Sequence, residues 1–160
     1  MSAQARRRDP ASTDEHPPAI ELDPRARAFL EGPRYAVLAT VNADGSPHLT
    51  EMWYELRGND IVFNTTAERM KRRNLERDPR AAVLVSTERG GPVWAKTEYV
   101  RVDGAVRQIA DGAAAREDIR RLAIRYDGPE EAERGMRDTW SKQDRVTYAL
   151  TPRRVYLKGL

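Results

Sequence analysis

The stretch Val37-Leu38-Ala39-Thr40-Val41-Asn42-Ala43-Asp44-Gly45-Ser46-Pro47-His48-Leu49-Thr50-Glu51-Met52-Trp53-Tyr54 decides how this chain folds. Tyr35 to Val41 is β-prone, Asn42-Ala43-Asp44-Gly45 is turn chemistry, and His48 to Leu56 is strand-like again, so the whole reads as a β-hairpin. Arg57-Gly58-Asn59-Asp60 makes a second turn into Ile61-Val62-Phe63-Asn64-Thr65, which predicts a three-stranded antiparallel meander. Side chains alternate along a strand, so His48, Thr50, Met52 and Tyr54 share one face of the second strand, and Leu49, Glu51, Trp53 and Leu56 fall mostly on the other.

Upstream, Asp23 is a helix N-cap, Pro24 suits the first helical position, and Ala26, Phe29 and Leu30 line one face before Gly32-Pro33 ends the helix. Residues 1–20 are polar, punctuated by Pro10, Pro17 and Pro18 and without periodicity, which predicts a disordered tail ahead of one domain over 21–160. Downstream, Thr65-Thr66-Ala67-Glu68 matches a capping box and predicts a helix to Arg77, stopped by Asp78-Pro79. Ala81 to Ser86 is a fourth strand, and Trp94 to Ile109 is a long bent strand or two strands broken near Gly104. Ala115, Ile119, Leu122, Ala123 and Tyr126 mark one amphipathic helix, and Ala132, Met136 and Trp140 a second after Pro129. The last strand, Val146 to Leu157, contains Pro152 and so is expected at an edge or bent there. About six strands with a central helix and a late helical pair suggest a small barrel.

Composition narrows the chemistry. The 160 residues hold no cysteine, which excludes disulfides, zinc–thiolate sites and cysteine nucleophiles, and two histidines, His16 and His48, argue against a multi-histidine metal site. No apolar run approaches the roughly 20 residues that span a bilayer, and Arg6-Arg7-Arg8 leads into polar sequence, so no membrane association and a cytoplasmic location are expected. Net charge is only +3 and the first twenty residues cancel, so no nucleic-acid partner is expected. The local excess of Arg69, Lys71, Arg72, Arg73 and Arg77 points instead to a phosphate or carboxylate ligand. Thr65 and Thr66 offer hydroxyls at a helix start, and Lys71 can turn back toward the same anion, with Arg73 or Arg72 supplying a fork of donors. Glu68 would compete with a bound phosphate. No Ser-His-Asp context surrounds Ser46 or Ser86, and no catalytic residue is assigned.

The opening hairpin resembles that of the pyridoxamine-phosphate-oxidase-like split barrel superfamily. Ile61-Val62-Phe63-Asn64-Thr65-Thr66, Lys71-Arg72-Arg73-Asn74-Leu75 and Asp78-Pro79-Arg80-Ala81 resemble its phosphate-binding strand and helix, and with Tyr99 to Gly104 and Arg145 to Val155 the similarity covers most of residues 26–157. It is nearest the branch that uses deazaflavin, the flavin/deazaflavin oxidoreductases of the B type. The resemblance implies an α+β fold, mostly β with helices: an FMN-binding-like split β-barrel forming a homodimer, with coenzyme F420 or alternatively FMN at the interface. The cofactor-binding candidates it implies are Thr50, Met52, Trp53, Thr65, Thr66, Lys71, Arg73 and Asn74, with Trp94 and Lys96 weaker. One departure is Glu51, where the family often has proline.

The activity expected from this resemblance is an F420-dependent reductase passing hydride to an unsaturated, conjugated small molecule. An FMN-dependent pyridoxamine-phosphate oxidase is disfavoured, because that enzyme ends in a histidine-containing arginine motif and Pro152-Arg153-Arg154-Val155-Tyr156-Leu157 has no histidine. A non-catalytic flavin or haem-related binder is the alternative of a different class, since fold does not fix function.

Overall fold

The computed structural model describes residues 17–87 and 97–160. Strands β1 (Ala36–Val41) and β2 (Pro47–Met52) pair antiparallel as expected, from Ala36 opposite Met52 to Val41 opposite Pro47, and Gly45 closes the turn at φ +85°. The predicted second strand, however, does not run through to Leu56. It breaks after Met52, and β3 (Glu55–Arg57) pairs with β4 (Asp60–Thr66) rather than with β1, so the simple meander is not formed.

The remaining strands are β5 (Arg80–Ser86), β6 (Tyr99–Asp111) and β7 (Arg145–Lys158), and the seven-stranded sheet has the order β2-β1-β5-β6-β7-β4-β3. β2 and β3 are therefore the two edges of one sheet, yet only Trp53 and Tyr54 separate them in the chain. Laid flat, such a sheet would hold its edges about 29 Å apart, whereas the three Cα steps from Met52 to Glu55 reach about 11 Å at most. The sheet must curl until its edges meet. It is a barrel joined at the seam by the chain itself and not by a ladder of hydrogen bonds, the split β-barrel of an α+β fold.

Its interior is filled from alternate positions: Leu38 of β1, Ile61 and Phe63 of β4, Val83 and Val85 of β5, Val100 and Val102 of β6, and Tyr148 and Leu150 of β7. Helix α1 (Pro24–Leu30) buries Ala26, Phe29 and Leu30 in the same core, and Asp23 caps it by accepting from the Arg25 N–H at 2.8 Å. The long pair β6–β7 slips register at Gly104, where Asp103 faces Arg154 but Gly104 faces Pro152, leaving Arg153 as the extra residue. Pro152 has no N–H to lose there, and β4 accompanies β7 only as far as Leu150. Pro152 thus stands both at a bend and on an unpaired margin, where its carbonyl accepts from the Ile20 N–H at 2.9 Å.

Helix α2 (Met70–Arg77) starts later than the capping-box reading predicts, behind Arg69, which makes no side-chain cap. Thr65 and Thr66 are instead the last residues of β4, opposite Val146 and Arg145, and the Ala67 N–H continues the pairing to Asp144. Ladder hydrogen bonds claim the backbone groups that a capping box needs. Helices α3 (Gly112–Asp127) and α4 (Pro129–Asp138) follow β6, and α3 lays Ala115, Ile119, Leu122 and Ala123 over the outer face of β4 and β7.

A Cβ on Gly104 would stand 2.2 Å from the Thr151 carbonyl oxygen. Gly104→Ala is expected to destabilise the fold by about 1–3 kcal/mol, the usual range for overpacking. Urea unfolding should show a lower midpoint at unchanged slope; an unchanged midpoint would mean that the slip relaxes freely.

Candidate functional site

The seam between β2 and β3 needs partners for its backbone, and α3 supplies them. The Tyr126 hydroxyl donates to the Arg34 carbonyl at 2.8 Å and accepts from the Tyr54 N–H at 3.2 Å. Its ring stacks on Trp53, with centroids 5.3 Å apart and planes 11° from parallel. Trp53 in turn meets the edge of Trp140 at 6.1 Å and 85°. Trp140 opens a single 3-10 turn (Trp140–Lys142) between α4 and β7.

Beside these rings, the ends of β2 and β4, the start of β7 and the approach to α2 enclose a cleft of about 410 Å³. Met52, Trp53, Trp140 and Ile119 give it an apolar side, and Thr65, Thr66, Arg69, Lys71 and Arg145 give it a cationic one. Lys71 is only 5% exposed, and among the described residues its ammonium has no hydrogen bond and no carboxylate. Burial, and secondly the nearby charge of Arg69, pull its pKa down to about 8. Arg145 is 7% exposed, and burial followed by Arg69 lowers its pKa to about 10, with Glu68 opposing. Its Nε donates to Asn64 Oδ1 at 2.6 Å and its Nη1 to Gln143 Oε1, both neutral amides. Buried charges are ordinarily paired, and an unpaired one costs free energy that a bound anion returns. Glu68, the capping carboxylate of the sequence reading, is exposed, and its pKa is lowered by its own backbone N–H and then by the Thr66 hydroxyl.

Of the sequence candidates, Met52, Trp53, Thr65, Thr66 and Lys71 come together in this cleft. Thr50 lies further back on β2 opposite Leu38, with a buried hydroxyl that lacks a partner. Asn74 faces the other way: its amide donates to Thr40 Oγ1 (3.1 Å) and Asn42 Oδ1 (2.9 Å), tying α2 to β1. Arg73 is exposed on α2 outside the cleft, and Arg72 is engaged with Glu76 at 2.8 Å. Trp94 and Lys96 lie outside the described residues. Glu51 is exposed at the mouth. Asn64, Gln143 and Trp140 were missed as site residues. Asn64, polar in the middle of an apolar strand, is the one signal the sequence carried, since a buried amide must be answered by something.

The two sides suit a ligand with a flat conjugated part and at least one negative charge.

A family model described as pyridoxamine 5'-phosphate oxidase matches residues 22–159. Among solved structures, a conserved hypothetical protein from Mycobacterium tuberculosis is similar at 27% identity and TM-score 0.67, over 88% of this chain and 86% of that one. An F420 reductase is similar at 27% identity and TM-score 0.65, over 84% of this chain and 98% of the reductase. A haem storage protein from Vibrio cholerae, at 19% identity and TM-score 0.66 over 88% and 97%, shares the fold.

An unanswered buried lysine makes a prediction about the free protein. Its folded pKa of about 8 lies below the ordinary 10.5, so the unfolded chain holds the proton more tightly. The cost is full below pH 8 and fades as pH rises from 8 toward 10.5. Lys71→Met should therefore stabilise the ligand-free protein at pH 7, by on the order of 3 kcal/mol at most. Thermal unfolding should show that gain shrinking severalfold by pH 10; a Lys71→Met protein less stable than the parent at pH 7 would show the ammonium to be satisfied after all.

Proposed function

This chain belongs to the pyridoxamine 5'-phosphate oxidase family, and we propose that it is an F420-dependent reductase that passes hydride from reduced deazaflavin to an unsaturated, conjugated organic acceptor. The observation that carries the reading is the buried Lys71 ammonium, without an anion of its own, beside the aromatic wall of Trp53 and Trp140. A coenzyme with a phosphate and a flat tricyclic ring fits that donor set. The similarity to an F420 reductase over 84% of this chain and 98% of the reductase favours deazaflavin over FMN, whose phosphate the same lysine could also hold.

In this reading Lys71 and the hydroxyls of Thr65 and Thr66 hold the phosphate, and Met52 and Trp53 border the ring. When bound, the deazaflavin supplies two electrons as hydride. Trp53 is kept rigid by Tyr126, so the wall is preformed and little ordering cost falls on binding. The apolar side excludes water from the reacting face, which strengthens the charge contacts at the cationic side. A haem-binding role finds less support, because no histidine among the described residues lines the cleft.

The working unit we propose is a homodimer. Tyr35, Leu49, Leu84 and Tyr156 are exposed around the outer face of the sheet, where Val37 stands opposite Leu84. Apolar side chains gathered on a sheet face are commonly covered by a second subunit. Light scattering at micromolar concentration should give about twice the mass of one chain; a monomer would remove this part of the reading.

Titration of the protein with F420 and with FMN, followed by absorption and fluorescence, tests the coenzyme. F420 is expected to bind more tightly. Lys71→Ala should weaken it by about 1.5–3 kcal/mol, the range for a hydrogen bond to a charged group, whereas Arg73→Ala, outside the cleft, should change it little. Because the anion needs a protonated Lys71, affinity should be flat below pH 8 and fall above it. Equal binding by the parent and Lys71→Ala proteins, or an affinity that rises above pH 8, would place the phosphate elsewhere.

A further inference from the structure

Among the described residues no anion answers Lys71, so something else must keep its ammonium under cover. A lysine stem has enough rotatable bonds to carry an unpaired charge out to water, where it is better solvated. The helix that bears it is short: α2 has eight residues, a length at which an isolated helix is marginal, and Arg69 gives it no side-chain cap. Its seat on the barrel must come from the face it buries, Lys71, Asn74 and Leu75, whose spacing sets them side by side. Leu75 enters the core and is the one apolar side chain that α2 buries.

The other fastening is polar. Asn74 is 1% exposed, and Thr40 of β1, the strand on which α2 packs, is 2% exposed. Beyond the two bonds that the Asn74 amide donates to Thr40 and Asn42, its Oδ1 accepts from Arg77 Nη2 at 3.2 Å, and the same nitrogen donates to the Val41 carbonyl. Asn42 is fixed in turn, its amide donating to Ser46 Oγ at 3.1 Å and its backbone N–H to the Ser46 carbonyl at 2.8 Å. Every polar atom of the Asn74 side chain is thus answered, and a satisfied buried network favours one arrangement. This one joins the hairpin that carries Met52 to the helix that carries Lys71, and those two residues border the cleft from different elements.

We infer that Asn74, anchored on Thr40 and Asn42, is a positioning residue that locks α2 to the first hairpin and so holds Lys71 under cover in the cleft before any ligand arrives. That the lysine is held for a coenzyme phosphate rests on the reading above; that it is held does not. Asn74 itself faces away from the cleft and acts through the helix. The charged groups that share the cleft with Lys71 are Arg69 ahead of α2, Arg145 on β7 and Glu51 at the mouth on β2. Replacing Asn74 or Thr40 removes none of these charges, so what changes is the water around Lys71.

The chain has four lysines, Lys71, Lys96, Lys142 and Lys158, so lysine labelled with carbon-13 at Cε lets each be followed through its titration by NMR, and Lys71→Met identifies its resonance. In the parent that resonance should titrate near 8. In Asn74→Leu, and in Thr40→Val, which keeps the side chain's shape and removes the acceptor, it should move up by about one unit or more as water reaches the ammonium. Thr40→Ser should return it. F420 affinity at pH 7 should fall about three- to tenfold in the same two variants, as for the loss of a buried hydrogen bond, and its decline with rising pH should begin later. Asn42→Ala gives the same readout if Asn74→Leu fails to fold. Variants that melt at lower temperature yet leave the Lys71 resonance and the F420 affinity where they were would show Asn74 to be structural only and overturn the assignment. A Thr40→Ser protein that behaves like Thr40→Val, or a parent resonance at the ordinary 10.5, would overturn it too. Failure of F420 to bind the parent would count against the reductase reading alone, because the lysine titration is made without coenzyme.

Discussion

Everything in this molecule follows from the shortness of the link between two strand edges. Trp53 and Tyr54 must carry the chain from one edge of a seven-stranded sheet to the other, and a link of two residues leaves no conformation except a sheet rolled onto itself. At such a crossing the backbone is outside any ladder, and its polar groups need other partners. Tyr126 provides them, which is why α3 must return across the seam and why the aromatic stack forms there. The cleft is the space that this arrangement leaves beside the seam.

The electrostatics of the cleft run against stability. Several surface arginines elsewhere are matched, as Arg101 is by Asp103 and Arg107 by Asp60. Lys71 and Arg145 are the more deeply buried cations and have no such match. Burial lowers the pKa of both, and Arg69 adds to it. A fold that keeps two uncompensated charges under cover has a structural reason to hold them only if something negative arrives. The same residues lie next to the aromatic corner of Trp53 and Trp140, so charge and flat surface border one cleft.

Much of this was legible in the residues. The hairpin at Val37–Met52, the Asp23 cap, the bend at Gly104, the place of Pro152 and the buried face of α3 are local or periodic features, set by φ preferences, side-chain hydrogen bonds and spacing. Lys71 and the two threonines were also visible, as hydroxyls and a cation close together in the chain. The helix start was misread because Thr65-Thr66-Ala67-Glu68 satisfies a local rule that the β4–β7 ladder overrides, and Asn74 because its polar character serves a strand it meets only in three dimensions.

By itself, then, the sequence determined family membership, through motifs in order along residues 22–159, and a chain of antiparallel strands with a cationic strand–helix junction suited to an anion, because the strands and the junction depend on neighbours within a few residues. Only the tertiary structure decided that the strand after the first hairpin splits at Trp53-Tyr54, and that Arg145, 81 residues from Asn64, is held by it at the edge of the same cleft. It also decided that Trp140 closes the aromatic corner. These outcomes depend on curling the sheet and on paying for buried charge, and both are long-range properties to which no local pattern responds.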